Sequence, residues 1–241
     1  GPGRVLADLV ASAVVPVEEA AAADGPLGDL VAAVRGGTLP PVLVDPQRRV
    51  VVVRAGDAAE AAHRVVQLVA DSIPRALGPA PADVQVLTPL RRGAAGAAAL
   101  NAVLKARLNP GPGAFRGFDP GDRVVTSDGR IGQVAGPADA DALAVEGVGV
   151  LRPDRLRHGW AVPVALAAGG RWPAVVAVFP PDAVGVLGRP LALTAFTRAA
   201  RHLCVVHAAG AALSRAVREV PAPRPRRTRL AGLLRAAVLT P

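Results

Sequence analysis

Apolar and polar positions along the chain change period several times, and each change marks an element. Val5, Leu6, Leu9 and Val10 stand at helical spacing in the opening segment GPGRVLADLVASAVVPV. An alanine-rich helical piece follows in VEEAAAADG, then a break at Gly25-Pro26 and a second helix that Gly36 and Gly37 end. Thr38 to Pro46 reads as a proline-rich connector. Val50 to Val53 is a continuous β-branched run, the pattern of a strand buried on both faces. Asp57 is placed to cap the helix AAEAAHRVVQLVADSIPRAL, in which Ala61, Val65, Leu68 and Val69 form an apolar stripe and Asp71 marks the charged side. Asp83 leads into VQVLTP, a second buried strand, and strand-helix-strand at this spacing predicts a parallel sheet.

Arg91, Arg92 and Gly93 follow that strand, before a helix predicted from about Ala94 to Leu108. From Asn109 to Arg157 the pattern shifts to short alternating segments with tight turns such as Ser127-Asp128-Gly129. Gly121 to Val125, Ile131 to Val134 and Leu143 to Val150 are expected to form a small barrel of the SH3 type, inserted because the longer rhythm resumes after it. Val175 to Phe179 is another buried strand, Leu191 to Arg201 a short helix carrying Arg198, Leu203 to Val206 the last core strand, and Ala212 to Glu219 a helix. A Pro/Arg-rich stretch and a short amphipathic end, RLAGLLRAAV, complete the chain.

Composition narrows this picture. The 241 residues are 51% hydrophobic but hold only four Phe, two Trp and no Tyr, so the core is built from Ala, Val and Leu. Five of the 28 basic residues, Arg224, Arg226, Arg227, Arg229 and Arg235, follow Pro221 with no acid among them. The first 220 residues thus carry 23 bases against 19 acids, a net of +4 out of +9, and the basic character is largely a tail. No apolar run reaches the roughly eighteen residues that span a bilayer, and no secretory leader opens the chain, so a soluble, cytoplasmic protein is expected. The opening Gly-Pro-Gly, with no strand before it, reads as a cut. Cys204 has no partner for a disulfide and sits inside LCVV as a small hydrophobe.

Several chemistries find no support. No G-x-x-x-x-G-K-[ST] phosphate loop exists, and the sole lysine, Lys105, lies within a helix. His63, His158, His202 and His207 lack metal-ligand spacing, so no metal site is expected. No serine occupies a nucleophile motif.

The segments GPGRVLADL, VQVLTPLRRGAAGAAALNAVLKARLNP, FDPGDRVV, LRHGWAV with WPAVVAVF, and LTAFTRAARHLCVV occur in this order. In that order the chain resembles the C-terminal RecA-like motor domain of superfamily 1 DNA helicases of the RecD type, a UvrD-like C-terminal domain. The resemblance implies an α/β fold, a RecA-like parallel sheet with a small SH3-like β-barrel insertion. It implies a helical lead-in and linker over residues 1–46, the motor domain over 47–110 and 155–220, the insertion over 111–154 and a basic tail over 221–241. By resemblance, Arg92 in TPLRRG contacts the γ-phosphate and Arg198 in FTRA is an arginine finger, both serving a phosphate loop on a first motor domain. ATP and Mg2+ would then bind only where that domain completes the motor, and this chain alone holds no cofactor.

Two family segments are missing. The His-Lys/Arg-x-Gln-Gly-Ser-Glu run is replaced by Ala165-Leu166-Ala167-Ala168-Gly169-Gly170-Arg171, and Phe-Arg-Gln-Ala by VEEAAAADG. A degenerate motor domain is therefore expected, with single-stranded or duplex DNA as partner, contacted through Arg116, Arg123, Arg130, Arg171, Trp172 and the tail arginines Arg224, Arg226, Arg227 and Arg229. A split helicase completed by a separate chain, and a non-enzymatic nucleic-acid-binding scaffold, are the alternatives.

Overall fold

Alternating burial along the strands fixes where the two layers of helices lie. The computed structural model describes residues 25–40, 49–78, 83–167, 169–219 and 230–238. The expected helix at Val5 to Val10, the alanine-rich piece before Gly25 and the four tail arginines from Arg224 to Arg229 lie outside the described residues. In chain order the elements begin α1 (Pro26–Arg35), β1 (Val50–Arg54), α2 (Ala58–Gln67), α3 (Ile73–Leu77), β2 (Val84–Thr88) and α4 (Ala97–Leu108). Then come β3 (Arg123–Thr126), β4 (Ile131–Pro137), β5 (Leu143–Glu146), β6 (Gly149–Leu151), β7 (Leu156–His158), β8 (Ala161–Pro163) and β9 (Trp172–Phe179). Last are α5 (Arg189–Phe196), β10 (Ala199–His207), α6 (Ala211–Arg218) and α7 (Leu230–Val238).

Five strands form a wholly parallel sheet in the order β1-β10-β9-β2-β8. Side chains of successive strand residues point to opposite faces. On one face Val175, Ala177, Phe179, Leu203 and Val205 pack with α1, α5, α6 and a helical turn at Val164–Ala167. On the other, Val84, Val86, Ala174, Val176, Val178, Cys204 and Val206 pack with α2, α3 and α4. Burial pushes the Cys204 thiol up to about 12, so this side chain is an inert hydrophobe, as its setting in the sequence implies.

Several boundaries differ from the sequence expectation, each for a local reason. β1 is an edge strand, hydrogen-bonded on one side only, and Val52 is 42% exposed, so the valine run is not buried on both faces. The long helix after Asp57 is interrupted by a wide turn at Leu68–Ser72, because Pro74 has no N–H and its ring crowds the carbonyl four residues back. Asp57 does cap its start, its carboxylate accepting from Glu60 N at 2.7 Å. The helix expected from Ala94 begins at Ala97, behind an extended Gly96 that runs so close to Arg92 that a Cβ there would meet the Arg92 carbonyl at 2.2 Å. The helix expected to run to Arg201 stops at Phe196. Pairing in the parallel sheet starts at Ala199, which takes the last three residues of the expected helix, and Trp172 N donates to Arg198 O at 2.9 Å.

The insertion is a five-stranded antiparallel sheet in the order β6-β5-β4-β3-β7, whose edges β6 and β7 are not paired among the described residues. Leu143 to Val150 is a hairpin turning at Gly147 rather than one strand. The sheet has a small core of Phe118, Val124, Val134, Leu143, Val145 and Leu156. No described helix is long and apolar enough to cross a membrane.

Candidate phosphate and nucleic-acid site

Arg198 stands in the two-residue turn between α5 and β10. Ala192, Ala195 and Phe196 bury one side of α5, and the Phe196 ring meets Phe179 edge-on, centroids 5.9 Å apart. Arg189 fastens the start of the helix, its Nε and Nη2 donating to the carbonyls of Val217 and Arg218 at 2.7 and 2.9 Å. Thr197 closes the other end by donating from its hydroxyl to Leu193 O at 2.8 Å. The turn carrying Arg198 is thus held between a packed helix and a buried strand.

The Arg198 guanidinium is half-buried. Nη1 donates to Gly170 O at 3.1 Å and Nη2 to Thr197 Oγ1 at 3.2 Å, while Nε is buried without a partner. Burial, and then the charge of Arg171, pull its pKa below the ordinary arginine value. Two like charges beside each other, with none of the described carboxylates paired to either, make a setting that favours a bound anion. The donor set suits the outer oxygens of a phosphoryl group. It does not suit a whole magnesium nucleotide, since no carboxylate stands there to hold the metal. Among the described residues no cluster of His, Cys, Asp or Glu could hold a metal ion.

Arg92 lies elsewhere. It is exposed in the turn after the carboxyl end of β2, where Gly93 faces Asp182 of the segment following β9. Arg198 precedes the amino end of β10 and bonds to residues preceding β9. The eight residues of β9 separate the two ends, a distance of roughly 25 Å at the usual rise per residue. Arg92 and Arg198 therefore stand at opposite ends of the parallel sheet, and the described residues do not bring them together.

The remaining candidates also separate. Arg171 is exposed next to Arg198, but Trp172 is half-buried, packed on the core with its indole against Gly170, and is no open stacking platform. Arg116 pairs with Asp141 at 3.1 Å, and Arg130 with Asp128 at 3.0 Å, at opposite ends of β4. Arg123 is largely buried, donates to Gln85 Oε1 at 2.9 Å, and burial draws its pKa down to about 10. It joins the insertion to the parallel sheet, with only part of its side chain left exposed. Arg116, Arg123 and Arg130 thus form no common basic patch. The turn holding Arg130 does reach the core, since Gly129, with φ +89°, lies so close to Leu166 O that a side chain would collide.

A polar joint that residue patterning does not reveal holds the insertion on α4. Lys105 Nζ contacts Asp119 Oδ2 at 2.6 Å and Asp122 Oδ1 at 2.7 Å. Asp122, fully buried, also accepts from Asn109 Nδ2 at 2.7 Å and Asp119 N at 2.9 Å, and its Oδ2 lies 3.2 Å from His158 Nε2. Asn101 adds bonds from its amide to the carbonyls of His158 and Ala161, both at 2.8 Å. Burial alone would lower the Lys105 pKa, but its two carboxylates outweigh that and hold it raised. The Lys105 ammonium, with the backbone N–H groups of Ala114 and Gly113, draws Asp119 down to about 2. The lone lysine of an arginine-rich chain was the available signal, since a compact ammonium can sit between two carboxylates that a guanidinium would splay.

No family model matches the chain. It is 36% identical over 138 residues to the ATP-dependent RecD2 DNA helicase of Deinococcus radiodurans, a match covering 49% of this chain and 19% of that protein. The chain thus spans about a fifth of that relative's length, and half of it is related to a DNA helicase.

Proposed function

We propose that this chain is the second motor domain of a RecD-type DNA helicase, lending Arg198 to a nucleotide held by a phosphate loop on another domain and hydrolysing no ATP alone. The observation that carries this reading is the Arg198 mount. A guanidinium fixed by Gly170 O and Thr197 Oγ1 keeps further N–H groups for an anion, beside Arg171 and next to the partial relationship to RecD2. Such an arginine acts by neutralising charge on the transferring phosphoryl oxygens. Arg171 stands where the family carries an acidic residue, and Ala165, Leu166, Ala168 and Gly170 where it carries polar ones, which supports a motor whose coupling between DNA and nucleotide has decayed.

DNA contact in this reading comes from exposed arginines at the carboxyl ends of the strands, Arg91 and Arg92, and from the tail. Open parallel sheets bind ligands in that crevice. Fluorescence anisotropy of a labelled single-stranded oligonucleotide, titrated at several salt concentrations, tests this. Residues 1–220 are expected to retain binding, with log K falling against log salt by about 0.7 for each phosphate contacted. Complete loss of affinity on deleting residues 221–241 would instead favour a scaffold that binds through its tail alone.

A further inference from the structure

A second site emerges at the other end of the strand that Arg198 precedes. β1 and β10 are neighbours in register, with Val50 beside Leu203, Val52 beside Val205 and Arg54 beside His207. Register partners in parallel strands point to the same face, so these three pairs form a ladder on the side covered by α1, α5 and α6. Val50 and Leu203 are in the core there. One step on, Val52 and Val205 floor a cleft of about 480 Å3, and Arg54 and His207 stand at its rim. Leu39, Pro40 and Ala208 form partly exposed apolar walls, backed by the buried Leu30, Phe196 and Leu213, and Ser214 adds a hydroxyl. This explains why an edge-strand valine stays 42% exposed: it faces the cleft and not a neighbouring helix.

The cleft lies at a topological switch point. After β1 the chain turns through Gly56 to α2 on one face of the sheet, and after β10 through Gly210 to α6 on the other. Diverging connections leave a crevice beyond the carboxyl ends of adjacent strands, the place where open parallel sheets take ligands. Its volume is within the range of small-molecule sites, and its lining follows their pattern of apolar walls with few polar groups. No carboxylate is among the lining residues. Burial, then the Arg54 charge, hold His207 toward its neutral form, and its Nδ1 is buried without a partner.

We propose that this cleft binds one nucleotide unit, with the base against the exposed Val52 and the partly exposed Leu39 and Pro40 and the phosphate at Arg54, where the His207 ring and Ser214 hydroxyl supply further hydrogen bonds. An anionic group joined to a flat apolar body matches a cation set over an apolar floor better than a bare anion or a bare hydrocarbon does. The unit can come from a free mononucleotide or from a strand of single-stranded DNA. The site is some strand-length away from Arg198 and does not depend on the arginine-finger reading.

The test is a titration of the 241-residue chain with three probes: inorganic phosphate, deoxyadenosine 5′-monophosphate and a twelve-residue oligothymidylate. The His207 ring and the backbone amides of Gly56 and Ser214 are followed by NMR. The nucleotide or the oligonucleotide is expected to move these signals saturably, and whichever does so identifies the source. Arg54→Gln and Val52→Asp, both at exposed positions, are each expected to weaken that binding about tenfold, while Arg75→Gln on α3 leaves it unchanged. Retained amide dispersion in each variant shows that it folds. Equal response to inorganic phosphate, silent His207 and Ser214 signals with all three probes, or equal weakening by Arg75→Gln would each overturn the assignment.

Discussion

Asp122→Ala is expected to lower the unfolding free energy by about 3–5 kcal/mol, the usual cost of removing one member of a buried ion pair. Asp122 is fully buried and takes contacts from Lys105, Asn109, Asp119 N and His158. Its removal leaves the Lys105 ammonium, 12% exposed, with half its counter-charge and strands an amide donor. Asp122→Asn should recover little, because it places an amide against the ammonium. Asp141→Ala breaks an exposed pair and should cost under about 0.5 kcal/mol. Urea titrations of the three variants decide the matter; a loss below 1 kcal/mol for Asp122→Ala would mean that something else holds the insertion on α4. The joint also has a defined pH window. Asp119 is depressed when folded, so its contribution is complete above the ordinary aspartate value of 3.8 and disappears as pH falls through about 2. Lys105 is raised when folded, so its contribution is complete below the ordinary lysine range and disappears at higher pH.

In a motor assembled from this chain and a domain bearing the phosphate loop, Arg198→Ala is expected to cut kcat for ATP hydrolysis by about 10³-fold or more, the scale of an arginine-finger loss. KM for ATP should change far less, since the contact matters most where charge develops on the phosphoryl oxygens. Arg198→Lys should not restore the rate, because an ammonium cannot reproduce the fork that also holds Gly170 O and Thr197 Oγ1. Arg92→Ala, about one strand-length away, should leave kcat within a fewfold of the parent. Thermal melting separates chemistry from folding, as the two contacts that Arg198 makes are to partly exposed groups. Comparable losses for Arg92→Ala and Arg198→Ala would contradict the separation of the two ends of the sheet.

Much of the parallel sheet is legible from residue order. The runs at 50–53, 84–88 and 175–179 are strands, Asp57 caps its helix, and Gly36 and Gly37 end theirs. What local pattern cannot show is which face of a strand a helix covers, so Val50 to Val53 read as doubly buried although Val52 faces a cleft and is 42% exposed. It also cannot show which strand ends face each other. TPLRRG and FTRA read as two arms of one phosphate site until β9 is seen to lie between them. Arg123 reads as surface charge, because its partner Gln85 is 38 residues away, on a strand of the parallel sheet. The Lys105 joint was hidden for the same reason, its carboxylates being 14 and 17 residues along the chain. The mount of Arg198 was visible in outline, but the early end of its helix was not, since parallel pairing with β9 overrides the helical period of LTAFTRAAR.

ATP turnover by the purified 241-residue chain, measured with and without single-stranded DNA, decides whether this chain hydrolyses nucleotide unaided. No hydrolysis above background is expected in either condition if, as proposed, the chain only lends an arginine to a nucleotide held elsewhere. Turnover that rises on adding single-stranded DNA would contradict it.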